Sequence, residues 1–421
     1  MKKVLFVTYY WLPSGKASIH WPLKMIKFLP GNGWQPLVLT VKNEDVFSHR
    51  DESLENELDP NVKVCRTNSF EPFSIYKTFT GKKKDEKLVP SETISSANKG
   101  LAHRISIWIR MNLFVPDARA GWYFPGVKEG RKFLENENID AVVSIGPPHT
   151  GHLIGMTLSR HFNVPHVPVF IDPWVDIAYY RGFKRSKPTL TLDNYLEKKV
   201  LAHAEAAVFV TKTMEEDYRK KYSFLNDKSH VLYWGYDEDK FENLKPGDDN
   251  NKEEIILHAG NIFDFQNVPK FWLAVKKEID NGKNLRLKFI GTVSPGIKNA
   301  VKSAGLEKYT EYAGFLPYDE MINELGKASY LLVCSTEKRH VPGKLFEYLR
   351  AGKPIIAFGD DNKEVENILS ATNAGTIFRY DEDPSTFLHS QDKYHFDKGE
   401  VKRYDRKKIA ASLSEILHGI T

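Results

Sequence analysis

Apolar positions enter this chain as short β-branched runs, each followed by a stretch whose apolar residues recur at helical spacing. In the first half the runs are Lys3–Tyr10, Gln35–Val41, Ile139–Gly146, His166–Asp172, Ala206–Thr211 and Ser229–Trp234. Between the first two, Ile19, Leu23 and Ile26 fall on one helical face before Pro30-Gly31 stops the helix, which predicts a strand–helix–strand unit. Strands buried on both faces of a parallel sheet should be apolar nearly throughout, and these are. The polar stretch Glu242–Glu254 then breaks the pattern with the composition of a linker. The alternation resumes with Ile255–Gly260, Leu285–Gly291, Tyr330–Ser335, Pro354–Gly359 and Gly375–Tyr380, and Arg406–Leu417 reads as an amphipathic helix. The predicted class is therefore α/β, with two doubly wound parallel-sheet domains. Their expected limits are 1–241, a linker at 242–254, and 255–400. Residues 401–421 form a C-terminal helix that could pack back on the first domain. In such sheets ligands gather beyond the carboxyl ends of the strands, here expected in a cleft between the domains.

Two segments fall outside this alternation. Thr80–Gly100 is charged and poor in apolar residues, as in a loop. Leu101–Phe114 is amphipathic and carries Arg104, Trp108 and Arg110. It fits a core-packing helix with a solvated face, and it also fits an interfacial helix touching lipid. The length of 421 residues calls for two domains, and 41% hydrophobic with 27% charged residues is an ordinary globular balance. A formal net charge of +5 is small and dispersed, which excludes a dedicated nucleic-acid binder and leaves room for phosphate-bearing ligands. The two cysteines, Cys65 and Cys334, sit far apart in apolar runs, so no disulfide framework is expected and a reducing compartment is favoured. The opening MKKVLFVTYYWLPSG is short, aromatic and without a cleavage site, so it reads as a first strand and not a signal peptide. No run of ~20 apolar residues is present to span a bilayer. The expected location is the cytoplasm, at the inner face of the membrane if Leu101–Phe114 touches it.

The segment richest in chemistry is PGKLFEYLRAGKPIIAF, Pro342–Phe358. Pro342-Gly343 opens a helix, Leu345, Phe346 and Leu349 form its buried stripe, Gly352 caps it, and Pro354 begins a strand. Lys344 and Glu347 are three apart, so both project from the same side of the first turn. Amides at a helix start attract phosphate, and Lys344 adds a full charge there. A carboxylate one turn further in can accept two hydrogen bonds from a ribose diol. Phosphate and ribose side by side describe a nucleoside diphosphate; an exposed Lys344–Glu347 ion pair would satisfy the same spacing.

This segment resembles the nucleotide-binding signature of the retaining family-4 glycosyltransferases of the GT-B fold, in which the glutamate holds the donor ribose and the basic residue meets the diphosphate. Ile145–Gly155 (IGPPHTGHLIG) and Phe170–Asp176 (FIDPWVD) are similar to acceptor-side loops of bacterial surface-polysaccharide transferases in that family. Phe114–Trp122 (FVPDARAGW) resembles a segment that precedes them. Leu196–Phe241 looks like the crossover into the second domain, with Trp234–Asp237 (WGYD) at its end, and His258–Asn267 (HAGNIFDFQN) like that domain's first glycine turn. The resemblance runs in family order over nearly the whole chain. It implies two Rossmann-like domains facing across a cleft. It also implies transfer of a sugar, with retention, from a nucleoside diphosphate sugar, UDP before GDP, to a surface glycan or lipid-linked acceptor. No permanently bound cofactor and no metal are expected. The implied donor residues are Gly15, Gly260, Asn261, Arg339, Pro342, Gly343, Lys344, Leu345 and Glu347. His149 near the donor sugar joins Lys344 and Glu347 as catalytic, and His152, Asp172 and Trp174 lie on the acceptor side.

The chain departs from the family at several of these positions. Members often carry a second glutamate eight positions before the ribose glutamate, where this chain has Arg339; Glu337 is out of register. An Arg and a Lys common in the first turn of the second domain are replaced by Asn261 and Gln266-Asn267, and Lys338, Arg339 and His340 could offset that loss. The turn Pro13–Ser18 has one glycine, Gly15, and no GxGxxG, which argues against a dinucleotide enzyme. The triplets Asp237–Asp239 and Asp381–Asp383 each follow a tyrosine in a turn, where acids are common without a metal. Two rival functions share the architecture: a sugar-nucleotide epimerase and a non-catalytic sugar-nucleotide-binding subunit.

Overall fold

The computed structural model describes residues 1–42, 52–70, 107–109, 111–177, 183–242, 244, 253–335, 337–389 and 393–421. The expected loop Thr80–Gly100, residues 101–106 and 110 of the amphipathic segment, residues 181–182 and most of the linker at 242–254 lie outside them. The chain divides into two compact units, Met1–Leu232 with Ala410–Thr421, and Tyr233–Ile409.

In the first unit the strands are β1 (Lys2–Val7), β2 (Trp34–Val41), β3 (Lys63–Thr67), β4 (Ala141–Gly146), β5 (His166–Phe170), β6 (Ala207–Phe209) and β7 (Ser229–Val231). They form one sheet in the order β3-β2-β1-β4-β5-β6-β7, and every pairing is parallel. Its helices include α1 (His20–Phe28), α2 (Tyr123–Leu134), α3 (Thr150–Phe162), α4 (Lys187–His203) and α5 (Lys212–Lys221). The order reverses between β1 and β4, which is where a doubly wound sheet opens its crevice.

The second unit repeats the plan. Strands β8 (Glu254–Ala259), β9 (Leu285–Ile290), β10 (Thr310–Gly314), β11 (Tyr330–Cys334), β12 (Ile355–Phe358) and β13 (Gly375–Phe378) are ordered β10-β9-β8-β11-β12-β13, again all parallel. Helices α6 (Pro269–Asp280), α7 (Pro295–Ser303), α8 (Tyr318–Lys327), α9 (Lys344–Ala351), α10 (Lys363–Thr372) and the short α11 (Lys398–Val401) belong to it. Successive residues point to opposite faces of the sheet: Leu331 and Val333 join one core cluster, Tyr330, Leu332 and Cys334 the other. That double burial explains why these strands read as unbroken apolar runs. The switch point lies between β8 and β11. The final helix, α12 (Arg406–Ile420), begins in this unit and continues in the first, where Ser414 donates to the Asn32 carbonyl at 3.0 Å.

The expected strands are present, but most stop one to three residues before the apolar run ends. Tyr9 and Trp11 are buried in the loop after β1, so their side chains mimic a longer strand. Two strands, β3 and β10, occur where no apolar run predicts one. Both are sheet edges with mostly part-exposed side chains, and a strand covered on one face only loses the continuous signal.

Candidate functional site

The second unit's switch point gathers Lys344 and Glu347. Strand β8 ends in His258 and Ala259, and Gly260 turns the chain at φ +109°. A Cβ at Gly260 would stand 2.6 Å from Lys344 Nζ, so glycine is required both by the left-handed backbone and by the ammonium lying against it. Lys344 Nζ donates to His258 Nε2 at 3.1 Å, while His258 Nδ1 lies 2.9 Å from the Leu332 carbonyl. A carbonyl only accepts, so Nδ1 carries the ring proton and Nε2 offers its lone pair to the ammonium. Burial, and then Lys344, push His258 well below the usual histidine range and His340 down to about 4. Burial brings Lys344 itself down to about 8. The result is one cation flanked by two neutral imidazoles.

The backbone at the start of α9 is equally specific. Gly343 lies under the Trp234 indole, whose Nε1 would be 2.8 Å from an added Cβ. Pro342 is buried, and Leu345 is a core residue with its amide bonded to the Pro342 carbonyl. Leu345 therefore shapes the helix start but does not lend its N–H. Among the described residues the amides of Gly343 and Lys344 have no such partner and remain as anion donors. Tyr348, on the same helix, takes the Ala259 amide at 2.7 Å and clamps the end of β8 to α9.

Glu347 is buried at 7% exposure. Its Oε1 accepts the Tyr318 hydroxyl at 3.1 Å and lies 3.7 Å from Arg406 Nη2. Burial pushes its carboxyl above the usual carboxylate range, with Arg406 the main opposing influence. Among the described residues no ion pair joins Lys344 and Glu347, so the alternative reading of that spacing is not what the fold uses.

The other expected donor contacts are occupied locally. Asn261 is exposed and its Oδ1 accepts the Thr292 amide at 3.1 Å. Arg339 faces Glu337 at 3.6 Å. Gln266 Nε2 donates to the Cys334 carbonyl and Asn267 Oδ1 accepts from Trp272 Nε1, both at 2.9 Å. The residues standing in for the family's cationic pair thus hold the glycine turn in shape. Of the acidic triplets, Asp239 pairs with Lys407 at 2.7 Å and Asp383 accepts from the Ser385 amide at 3.0 Å.

In the first unit Gly15 lies in the turn after β1, and His149 and His152 follow β4. His149, 3% exposed, stacks on Trp174 with ring centroids 4.9 Å apart. Burial takes it to about 3, partly countered by the Pro173 carbonyl. His152 and Trp174 are wholly enclosed. His152 Nδ1 is 2.8 Å from Ser144 Oγ, and Trp174 Nε1 donates to Asp193 at 2.6 Å. The structure places both behind the surface as supports. Asp172 is half-buried in the turn after β5.

Sequence reading missed His258, Tyr318 and Arg406, which partner the two key side chains, and Asp117, which caps α3 by accepting the Thr150 amide and hydroxyl at 2.9 and 3.0 Å. Each lies far along the chain from the residue it supports, so spacing carries no signal for it.

Comparison with known proteins agrees with this fold. Residues 89–240 match the family model described as Glycosyltransferase Family 4, and residues 239–392 match Glycosyl transferases group 1. No curated protein matches the sequence. Among solved structures, sucrose-phosphate synthase from Thermosynechococcus elongatus superposes with a TM-score of 0.64 at 13% identity, over 100% of this chain and 99% of that one. Anabaena Alr3699/HepE in complex with UDP gives 0.64 at 13% identity over 100% of both chains. The apo lipopolysaccharide outer core galactosyltransferase WaaB gives 0.59 at 10% identity over 100% and 99%. At such identities the likeness speaks for the fold alone. The chain therefore joins a family-4 glycosyltransferase domain to a group-1 glycosyltransferase domain on the two-sheet GT-B architecture.

Proposed function

We propose that the protein transfers a hexose from a nucleoside diphosphate sugar, UDP before GDP, to a surface glycan or lipid-linked acceptor, with the anomeric configuration retained. The observation that carries this reading is the Lys344 ammonium held against Gly260 and His258 at the mouth of α9, with the Glu347 carboxylate one turn further in. In the reaction the bond between the anomeric carbon and the diphosphate oxygen breaks, and the electron pair leaves on the diphosphate. Lys344 and the amides of Gly343 and Lys344 meet that growing charge. The acceptor oxygen bonds to the same face of the sugar, and its proton passes to the departing phosphate, so no enzyme nucleophile is assigned. Glu347 accepts the ribose hydroxyls and fixes the donor's register. In the first unit Gly15 and His149, beyond the carboxyl ends of β1 and β4, are the residues we assign to the sugar and acceptor.

Calorimetric titration of UDP and GDP tests the donor assignment. One of the two should bind the wild type, and Glu347→Ala should weaken it by ~10-fold or more, which corresponds to about 1.4 kcal/mol. Binding by neither nucleotide would overturn the reading.

The lipid-linked acceptor rests on a surface of the first unit. Trp108 and Leu113 are 51% and 63% exposed, and Asn112 ties their segment to the start of α4 by accepting the Ser186 amide at 2.6 Å. Lys184 and Lys187 flank that junction, and Leu192 and Tyr195 continue the exposed apolar face along α4. Aromatic and aliphatic tips beside lysines suit an anionic interface. The protein should co-sediment with phosphatidylglycerol vesicles at low salt, and Trp108→Ser should reduce the bound fraction; indifference of the wild type to the vesicles would remove the membrane from the proposal.

A further inference from the structure

The side chains that hold Glu347 address one oxygen only. Tyr318 and Arg406 both address Oε1, at 3.1 and 3.7 Å, and among the described residues no other side chain donates to this carboxylate. Oε2 takes no side-chain donor among the described residues, and the residue's own N–H is the remaining donor to the carboxylate. Arg406 has an unusual setting for so expensive a group. It is 1% exposed, its Nε donates to the Trp234 carbonyl at 3.2 Å, its own amide donates to the Tyr236 carbonyl at 2.9 Å, and Nη1 is buried without an acceptor among the described residues. A buried guanidinium with an unmet N–H is costly to keep. Stability alone gives no reason for it, because an apolar side chain of similar volume would fill a buried position more cheaply. The carboxylate it faces gives one.

We propose that Arg406, assisted by the Tyr318 hydroxyl, is the positioning residue of the donor site: it pins Glu347 by Oε1 in its ionised form so that Oε2 faces the ribose diol. This rests on the assignment of Glu347 to the ribose. The groups facing the carboxylate are Tyr318 from α8, Arg406 from α12 and Lys344 from its own helix, with Asp237 behind Tyr318. Burial favours the protonated acid, and Arg406 is the largest influence against it. A protonated carboxyl loses acceptor strength towards two hydroxyls, so removal of Arg406 should cost the ribose contact while leaving the phosphate contact in place.

The test compares UDP with 2′,3′-dideoxy-UDP, by calorimetry between pH 5.5 and 8.5, on the wild-type chain and three variants. The wild type should prefer UDP by ~10-fold or more, as for loss of a pair of hydrogen bonds to a charged group. In Arg406→Met that preference should fall to within about two-fold, and the pH below which UDP binding weakens should move upward by about one unit or more. Arg406→Lys, which restores the charge, should recover most of the preference. Tyr318→Phe deletes a single hydroxyl and guards against a misfolded Arg406 variant; it should lose part of the preference in the same direction. General loosening of the fold would weaken both nucleotides alike and leave their ratio intact, and that result in Arg406→Met or an unchanged ratio in Tyr318→Phe would overturn the inference. If the wild type binds UDP but does not distinguish it from the dideoxy form, the ribose assignment of Glu347 falls and this inference with it. If it binds neither, the donor reading itself fails.

Discussion

Lys344→Met should lower kcat by ~10²–10³-fold, the usual loss for removing one preorganised donor from a developing oxyanion. The side chain is close to isosteric in its stem, so it still fills the space beside Gly260, and only the ammonium disappears. Among the described residues this ammonium has a single hydrogen-bond partner, the neutral His258 Nε2, which leaves N–H bonds for anionic oxygens. The contribution should appear mainly in kcat, because the charge on the bridging oxygen grows as the glycosidic bond to the diphosphate breaks. KM should rise less.

The pH dependence separates this role from a packing role. Burial lowers Lys344 to about 8 in the unliganded protein. The protonated form is the functional one, so kcat/KM should fall as pH rises through about 8. A bound diphosphate favours the charged form, and kcat at saturation should hold to higher pH. Lys344→Met should lack that alkaline limb altogether. Lys344→Arg should not restore activity, since the wider guanidinium has no room where a single carbon on Gly260 would already lie 2.6 Å from Nζ. A kcat within a few-fold of wild type in Lys344→Met would remove Lys344 from the chemistry. The melting temperature serves as the control, and should change little.

The contrast between Lys344 and its partners shows what a sequence can disclose about such a site. Lys344, Glu347 and the two glycines that bracket α9 stand within ten residues of each other, and their placement follows from helix geometry: amides and charge at the mouth, a carboxylate one turn in, a left-handed cap at Gly352. Most strands were legible for a related reason, since double burial writes parallel strands as continuous apolar runs. Arg406 comes 59 residues after Glu347 and His258 comes 86 before Lys344, and only the folded topology brings them together. The half-exposed edge strands β3 and β10 escaped for the complementary reason, having one face without a core to record. At His152 and Trp174 the position was legible as the carboxyl end of a strand, while the direction was not. A histidine after a strand can face the crevice or the core, and here His152 turns inward to Ser144.

That inward turn has a consequence for stability in acid: the first unit should lose its fold as pH falls from about 6.5 towards 4. Four imidazoles follow one another in a chain of contacts within it. His149 stacks on Trp174; His152 Nδ1 and His166 Nε2 share Ser144 Oγ at 2.8 Å each; His203 Nε2 reaches Ser159 Oγ at 3.0 Å. Burial holds His149 and His166 at about 3 and His152 well below the usual range; the charges of His149 and His166 add to the effect at His152, and those of His203 and Arg160 at His166. The folded values are depressed, so the unfolded chain binds more protons whenever the pH is under about 6.5. Stability is fully present above that value and drains away as pH falls towards about 3. At pH 4.5 a single fully buried histidine that remains neutral costs about 2.7 kcal/mol, two units at 1.36 each. Two such residues already reach roughly 5 kcal/mol, comparable with the whole stability of a domain. Acid titration followed by tryptophan fluorescence, which sees the buried Trp122 and Trp174, should show a cooperative transition between pH 6 and 4. His149→Phe keeps the ring stacked on Trp174 without a titrating nitrogen, and should shift that transition to lower pH by about half a unit or more. His166→Gln keeps a partner for Ser144 and should shift it likewise. A wild type that stays folded to pH 3, or variants that unfold at the same pH as the parent, would show that these rings find protons or water in the native state and that the chain of histidines is not what limits the fold.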